Sequence, residues 1–451
     1  MEKQMKSQLL DQYMQYVTQQ DRVDESLYRK YDVKRGLRDL NGRGVVTGIT
    51  NISRIEAFDN IDGKEIPAEG RLWYRGINVE DLVSNSEGRR FLFEETAYLL
   101  LFGSLPSQSQ LDEFVGLLAS YRSLPSNFTR DVIMKAPSKD LMNSLTKSIL
   151  TLANYDDTVG RGDLKTQLEQ CIKLIAVMPL LAAYGYHAYN YSVNNGSLYI
   201  HRPEENLSAA ENLLMLLRPD QSYTKLEARE LDIAMLLHME HGGGNNSSFT
   251  TRVVTSSGAD TYAVIAAALC SLKGPKHGGA NLRVMQMMDD ICSHVRDTAD
   301  EEEVEAYIGK ILDGDAFDHK GLIYGLGHAV YSLSDPRAEI FRRYVERLAA
   351  AKGKEKEFQL YSLVEHKAAR MISERRKIYK GVCVNVDFYS GFAYEMLGIP
   401  RELYTPLFAI SRIAGWSAHR LEELVNTDKI IRPAYVSCME KKEYIPIENR
   451  S

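Results

Sequence analysis

The sequence predicts an all-α, multi-helical protein of two domains with a small β meander near its N-terminus. Three observations carry that expectation. Beyond Asn78 the apolar residues recur at helical spacing almost to the C-terminus, with proline, glycine and asparagine as punctuation. Convincing β-prone segments are confined to about residues 43–75. The length, 451 residues, exceeds what one ordinary core accommodates, so an interdomain cleft is the natural ligand site.

Residues 1–33 come first and place Leu9, Leu10, Tyr13, Met14 and Val17 at helical spacing, a helix that packs on a partner or on the body. Val45 to Ile52, Arg54 to Phe58 and Arg71 to Tyr74 read as strands, with turn signals at Asn60 to Gly63 and at Glu69-Gly70. Helices follow at Val79 to Ser84, Phe91 to Leu101, Gln108 to Leu124, Thr129 to Lys135, Met142 to Ala153 and Leu164 to Tyr191, the last kinked or split by Pro179. Ser208 to Leu217 is apolar on one face and Lys225 to Glu240 is amphipathic. Tyr262 to Leu272 is apolar nearly throughout, as befits the centre of a large domain. Asn281 to Val295, Val304 to Leu312, Glu339 to Ala351 and Glu355 to Glu374 are more charged and suit a smaller, more exposed domain. Dense apolar patterning returns in Asp387 to Leu397 and Tyr404 to Leu424. The expected division is a large domain of residues 1–279 and 399–451, and a small domain of residues 280–398.

Composition removes several classes. Hydrophobic content of 44% and charged content of 26% fit an ordinary globular protein. A net charge of -6 argues against a general nucleic-acid binder, so an anionic substrate has to be held by local Arg and His. Five cysteines without a Cys-x-x-Cys pair suggest neither a disulfide framework nor a thiolate metal site. Met1 to Asp24 resembles neither a signal nor a transit peptide, and the longest apolar runs, Leu174 to Tyr184 and Tyr262 to Leu272, are too short to span a bilayer. The expectation is a cytoplasmic protein without membrane or nucleic-acid partners.

The chain is organised around Gly274-Pro-Lys-His-Gly-Gly-Ala-Asn281, which sets His277 just ahead of a helix. A helix N-terminus lowers an imidazole's pKa and keeps it neutral, fit to donate to a carbonyl as it becomes an enolate; the plainer reading is a histidine in a glycine-rich cap. Gly325-Leu-Gly-His328 offers a second glycine-flanked histidine, with Arg337 nearby to grip a carboxylate. Here Asp335 caps, and Pro336 opens, the following helix in either reading. Asn385-Val-Asp387 sets a carboxylate in apolar surroundings, which raises its pKa and suits a general base; Asp387 as a plain helix cap is the alternative. His238 and His241 stand three apart, not the four of zinc hydrolases, before a Gly-Gly-Gly-Asn245 turn suited to a carboxylate. Arg412, inside an apolar helix, calls for an anionic partner, a bound anion or a protein carboxylate, while Arg432, on a loop, reads equally as a plain surface charge.

Together these segments resemble the citrate synthase family over nearly the whole chain. The 274–281 stretch, Gly325-Leu-Gly-His-Ala-Val330 with Asp335-Pro-Arg337, and Asn385-Val-Asp387 with Ser390-Gly391 resemble its three catalytic segments in order. Glu240-His241-Gly-Gly-Gly-Asn245, Ser411-Arg412 and Arg432-Pro433 resemble its oxaloacetate-binding segments, and Leu72-Trp-Tyr-Arg-Gly-Ile77 the motif near its first strands. The resemblance implies a citrate-synthase-like homodimer whose small domain closes over substrate, and the condensation that feeds the tricarboxylic acid cycle. Acetyl-CoA, oxaloacetate and water would give citrate and CoA, the CoA thioester being a substrate and no cofactor being needed. By the same resemblance, Asp387 takes the methyl proton, His277 donates to the thioester oxygen and His328 polarises the ketone. His241, Arg337 and Arg412 hold oxaloacetate, Arg432 arrives from the other subunit, and Ile323, Tyr324, Gly325, Leu326 and Gly327 lie along the CoA adenine. Alternatives are a 2-methylcitrate synthase using propionyl-CoA, to be decided by the pocket near Asp387 including Phe388 and Tyr389, a non-catalytic relative that binds CoA or dicarboxylates, and, more distantly, a metal hydrolase built on His238 and His241.

Overall fold

The computed structural model describes residues 2–39, 43–327, 330–376, 381–426 and 429–450. Two units emerge: Met1–Ile49 with Ile431–Ser451, and Thr50–Ile430. The first contains helix α1, Glu2–Gln20, as the spacing predicts, and a short α2, Glu25–Lys30, capped by Asp24. Leu9, Leu10, Met14 and Val17 of α1 are exposed.

The second unit opens on three antiparallel strands, β1 Ser53–Ile61, β2 Lys64–Tyr74 and β3 Ile77–Asn78, in the order β1-β2-β3. Asp62-Gly63, both with positive φ, form the tight turn that the sequence signals between β1 and β2. Two expectations fail. Val45 to Ile52 forms no strand, and Glu69-Gly70 is no turn, because β2 runs straight through it. Gly70 answers to close approach: a Cβ there would stand 2.6 Å from the Tyr331 ring, and its N–H donates to Ser334 Oγ at 3.1 Å. The meander is thus a brace against the 331–334 segment.

The remaining helices are α3 Val79–Ser84, α4 Leu92–Phe102, α5 Gln108–Tyr121, α6 Leu141–Leu152, α7 Leu164–Val193, α8 Ala209–Leu217, α9 Lys225–His238, α10 Asn246–Ser256, α11 Thr261–Leu272, α12 Ala280–His294, α13 Glu301–Asp313, α14 Pro336–Lys352, α15 Glu355–Arg376, α16 Asp387–Met396 and α17 Tyr404–Asn426. The all-α class therefore holds. Side chains set the starts: Ser107, Ser208 and Thr224 form capping boxes with Gln110, Glu211 and Glu227, and Asp335 caps α14 with Pro336 in its first turn. Residues 129–133 wind as a π turn where a helix was expected. α10, rich in Ser and Thr, escapes the periodicity reading altogether; Asn245 starts it by accepting from the Ser248 N–H.

Pro179 does not split α7, which runs unbroken for 30 residues. By length and composition α7 is apolar enough to cross a membrane, although the separate apolar runs looked too short; 89% of that window is buried inside the protein, the pattern of a core helix. α17 is buried along most of its length and packs against α4, α7, α9, α10 and α11. One continuous apolar cluster extends from Ile52 in the β1 approach to Ala418 in α17.

Gly70→Ala is expected to destabilise the protein by about 1–3 kcal/mol, the usual cost of forcing atoms into a packed contact. Urea denaturation measures it, and an unchanged midpoint would contradict the close approach at Tyr331.

Candidate active site

The site is assembled where α17 crosses the C-terminal end of α9. Arg412 of α17 is buried, donates from Nε to the His238 carbonyl at 2.6 Å, and lies 4.7 Å from the Phe408 ring. Among the described residues no carboxylate forms an ion pair with it. Burial lowers its pKa to about 10 and Glu240 acts against that, so it stays charged at neutral pH. Arg420, two turns further on, is equally buried but donates to Thr261 Oγ1, Thr255 Oγ1, Gln167 and the Ala259 carbonyl. A buried arginine therefore needs no anion if neutral oxygens surround it, which narrows the premise applied to Arg412 from sequence. Arg412, with one carbonyl for partner, still lacks the counterpart.

Glu240 supplies a nearby negative charge already engaged elsewhere. Burial alone would raise its pKa, but His419, Arg412 and the Ser53 hydroxyl hold it down at about 2. Its Oε1 accepts from His419 Nε2 at 3.0 Å and from Ser53 Oγ at 2.9 Å, while Oε2 is buried without a partner. Arg252 Nη2 donates to His419 Nδ1 at 2.9 Å, which leaves the ring proton on Nε2, facing Glu240. Arg252 is itself held by Glu422 and by Glu423 at 3.0 Å. A buried chain of charge thus runs from α10 through α17 to the residue before His241.

His277 precedes α12, whose start is capped by Gly279. Its pKa falls to about 4, first through burial and then through the charge of Arg412. The neutral imidazole expected from sequence is present, but these causes replace the helix terminus invoked for it. His277 Nε2 lies 2.9 Å from Ser247 Oγ, which accepts from Trp416 Nε1 at 3.1 Å and donates to Asn245 Oδ1 at 3.1 Å. Ser247 has one proton to give. Donated to Asn245 Oδ1, it leaves His277 Nε2–H to donate to Ser247; turned to His277 Nε2 instead, it puts the ring's own proton on Nδ1, and His277 becomes a donor there.

Asp387 is the first residue of α16, yet capping falls to Asn385, whose Oδ1 accepts the Asp387 N–H at 3.0 Å. The Asp387 carboxyl is left for chemistry. Burial raises its pKa to about 6; Arg337 lowers it, Asp335 raises it and Arg412 lowers it. Two of the predicted segments are joined directly. Leu326 and Val384 form an antiparallel bridge, the Gly327 N–H donates to the Cys383 carbonyl at 2.8 Å, and the Asn385 N–H to the Gly325 carbonyl at 2.9 Å. Gly325 is required by its φ of +80° and by Phe388, 2.8 Å from where a Cβ would stand, whereas Gly327 faces open space. Ile323 is buried, Leu326 packs on the core, and Tyr324 donates to Asp318 Oδ2 at 2.6 Å.

Arg337 is buried and grips Asp335 with two prongs, Nε at 3.0 Å and Nη2 at 2.7 Å. His241 Nε2 lies 3.3 Å from the Tyr331 hydroxyl. His238 is buried, its Nδ1 donates to the Ala234 carbonyl at 2.9 Å, and burial lowers its pKa to about 3. His238 and His241 thus serve different partners, and among the described residues no cluster of three or more His, Cys, Asp or Glu is placed to hold a metal. His328 lies outside the described residues. Arg432, exposed, belongs to the unit Met1–Ile49 with Ile431–Ser451.

The structure therefore gathers His277, Arg337, Asp387 and Arg412 around shared electrostatic neighbours, with His241 alongside. Sequence reasoning missed Ser247, Trp416, Tyr331 and the Glu240–His419–Arg252 chain. The available signal was His419-Arg420 inside an apolar helix, three and four residues beyond Trp416. Phe388 and Tyr389, expected near the pocket, turn into the packing around Phe358 and Tyr361.

A carboxyl poised at about 6 and a neutral imidazole beside a buried guanidinium are the equipment of an acid–base enzyme that acts on an anion. Residues 37–434 match the family model for the citrate synthase C-terminal domain, and the chain belongs to the citrate synthase family. It is 34% identical over 400 residues to a citrate synthase of Synechocystis, covering 88% of this chain and 91% of that protein. It is 32% identical over 382 residues to a 2-methylcitrate synthase of Shewanella oneidensis, covering 84% and 92%. Among solved structures, the citrate synthase of Pyrobaculum aerophilum superposes with a TM-score of 0.74 at 29% identity, covering 91% of this chain and 95% of that one. That of Thermoplasma acidophilum, in ternary complex with carboxymethyl coenzyme A and oxaloacetate, gives 0.75 at 26% identity, covering 92% and 99%.

Ionising Asp387 in the folded protein costs free energy, because its folded pKa is above its unfolded value. The cost is absent below about pH 4, where both states are protonated, and complete above about pH 6. Asp387→Asn is therefore expected to stabilise the fold by about 1–3 kcal/mol at pH 7–8 and by nothing near pH 4. Denaturation at the two pH values checks this.

Proposed function

We propose that the protein condenses acetyl-CoA with oxaloacetate and water to give citrate and free CoA. The observation that supports this most is Arg412, a buried charge that no carboxylate among the described residues meets in an ion pair, beside a neutral His277 and an Asp387 poised at about 6. An anionic keto acid supplies the missing counter-charge.

In this mechanism the Asp387 carboxylate takes a proton from the acetyl methyl group while His277 Nδ1–H donates to the thioester oxygen and stabilises the enol or enolate. The carbon nucleophile attacks the ketone carbon of oxaloacetate, His328 polarises that ketone, and a carbon–carbon bond forms as the ketone oxygen gains a proton. Water then adds to the thioester, the carbon–sulfur bond breaks and CoA leaves as the thiol. His241, Arg337 and Arg412 hold oxaloacetate. Arg432 completes the site from the second subunit of a homodimer, and the 323–327 loop carries the CoA adenine. A small domain of residues 280–398 closes over the substrates and removes water from the carbanion step. CoA enters as a thioester substrate, without further cofactor, in a cytoplasmic enzyme of the tricarboxylic acid cycle.

Thiol release with oxaloacetate plus acetyl-CoA is expected from the wild type and reduced at least about a hundredfold in Asp387→Ala and His277→Ala, the scale of a lost general acid or base. No release from the wild type with either acetyl-CoA or propionyl-CoA would end the enzyme reading. The rate of the chemical step should fall as pH drops through about 6, where Asp387 gains its proton. Light scattering should give a dimer, and an active monomer would remove the role of Arg432.

A further inference from the structure

A line of aromatic rings connects His277 to Asp387, and no step of the condensation uses it. The Phe408 ring lies 6.4 Å from the His277 ring. It also meets the His238 ring edge-to-face, at 4.8 Å and 87°. His238 in turn stands 6.5 Å from the ring of Tyr394. Tyr394 lies on α16 two turns beyond Asp387, a spacing that puts the two on the same face of the helix. Burial and then the Asp387 charge raise the Tyr394 pKa, in keeping with that proximity. All three rings are buried.

We propose that the wall formed by His238, Phe408 and Tyr394 sets the length of the acyl group, admitting acetyl-CoA and excluding propionyl-CoA. The inference rests on the acyl-CoA condensation above. In that reaction the α-carbon must be within reach of Asp387, which takes its proton, while His277 holds the adjacent thioester oxygen. The third substituent on that carbon, hydrogen in acetyl and methyl in propionyl, then meets whatever spans the two groups. Here that is a run of rigid rings without a flexible side chain to yield, inside packing as dense as a crystal. His238 is fixed by its bond to the Ala234 carbonyl, and Phe408 by Arg412 across its face. Phe388 and Tyr389 contribute nothing here, since they face Tyr361.

The test is kcat/KM for CoA release from acetyl-CoA and propionyl-CoA, each with oxaloacetate, in the wild type, Tyr394→Phe, Tyr394→Ala and Phe408→Leu. The wild type should favour acetyl-CoA by about tenfold or more, the discrimination one methylene commonly gives. Tyr394→Phe keeps the ring and should keep that ratio. Tyr394→Ala and Phe408→Leu should each move the ratio toward propionyl-CoA by about tenfold. A wild type that prefers propionyl-CoA overturns the proposal. So does a ratio within about twofold of wild type in both opened variants, with both donors slowed alike, as a merely structural role requires. If Tyr394→Ala fails to fold, the milder pair Phe408→Leu and Tyr394→Leu, which leaves smaller voids, decides by the same ratio. Loss of the condensation reading is distinct, because it shows as no CoA release from either donor by the wild type.

Discussion

The charge on Arg412 is sealed inside a helical core where, among the described residues, a single backbone carbonyl accepts from it, and much of the surrounding chemistry follows from that placement. Its field lowers the His277 pKa and draws down that of Asp387, so one guanidinium shapes both the imidazole and the carboxyl. The same charge helps Glu240 remain ionised where burial opposes it. A charge this deep costs several kcal/mol unless it is matched. The protein tolerates it because α17 is anchored along most of its length by the helices packed around it, α4, α7, α9, α10 and α11 among them.

Two features turn that electrostatic core into a defined geometry. The Leu326–Val384 bridge fastens the glycine-rich 325–327 segment to the approach of α16, so segments some sixty residues apart in sequence share one backbone register. Ser247 stands between Trp416, His277 and Asn245 with a single proton to give, so the tautomer of His277 is decided by a hydroxyl on α10. Neither feature carries charge. Both hold charged groups where a fraction of an ångström matters.

The helices were legible because their signals are local. Apolar spacing marked α9, α11 and α17 within a few residues, and Asp335-Pro336 announced α14 outright. α10 was not legible, since its Ser and Thr residues carry no apolar stripe and its start depends on the Asn245 side chain. Glu69-Gly70 misled because a glycine demanded by a distant ring looks in sequence like one demanded by a turn. The catalytic segments could be recognised as motifs, but the reasons for their properties could not: the neutrality of His277 derives from burial and from Arg412, more than a hundred residues away. Arg252 and His419 stayed hidden for the same cause, being ordinary surface-type residues until α10 and α17 pack together.

The unmatched guanidinium has a consequence for the life of the protein in a cell. Any anion that pairs with Arg412 in the folded chain has nothing equivalent to bind in the unfolded one, so its binding adds to folding free energy. Resistance to heat and to proteases then follows metabolite supply, and the amount of enzyme that survives turnover becomes a record of how often its site has been full.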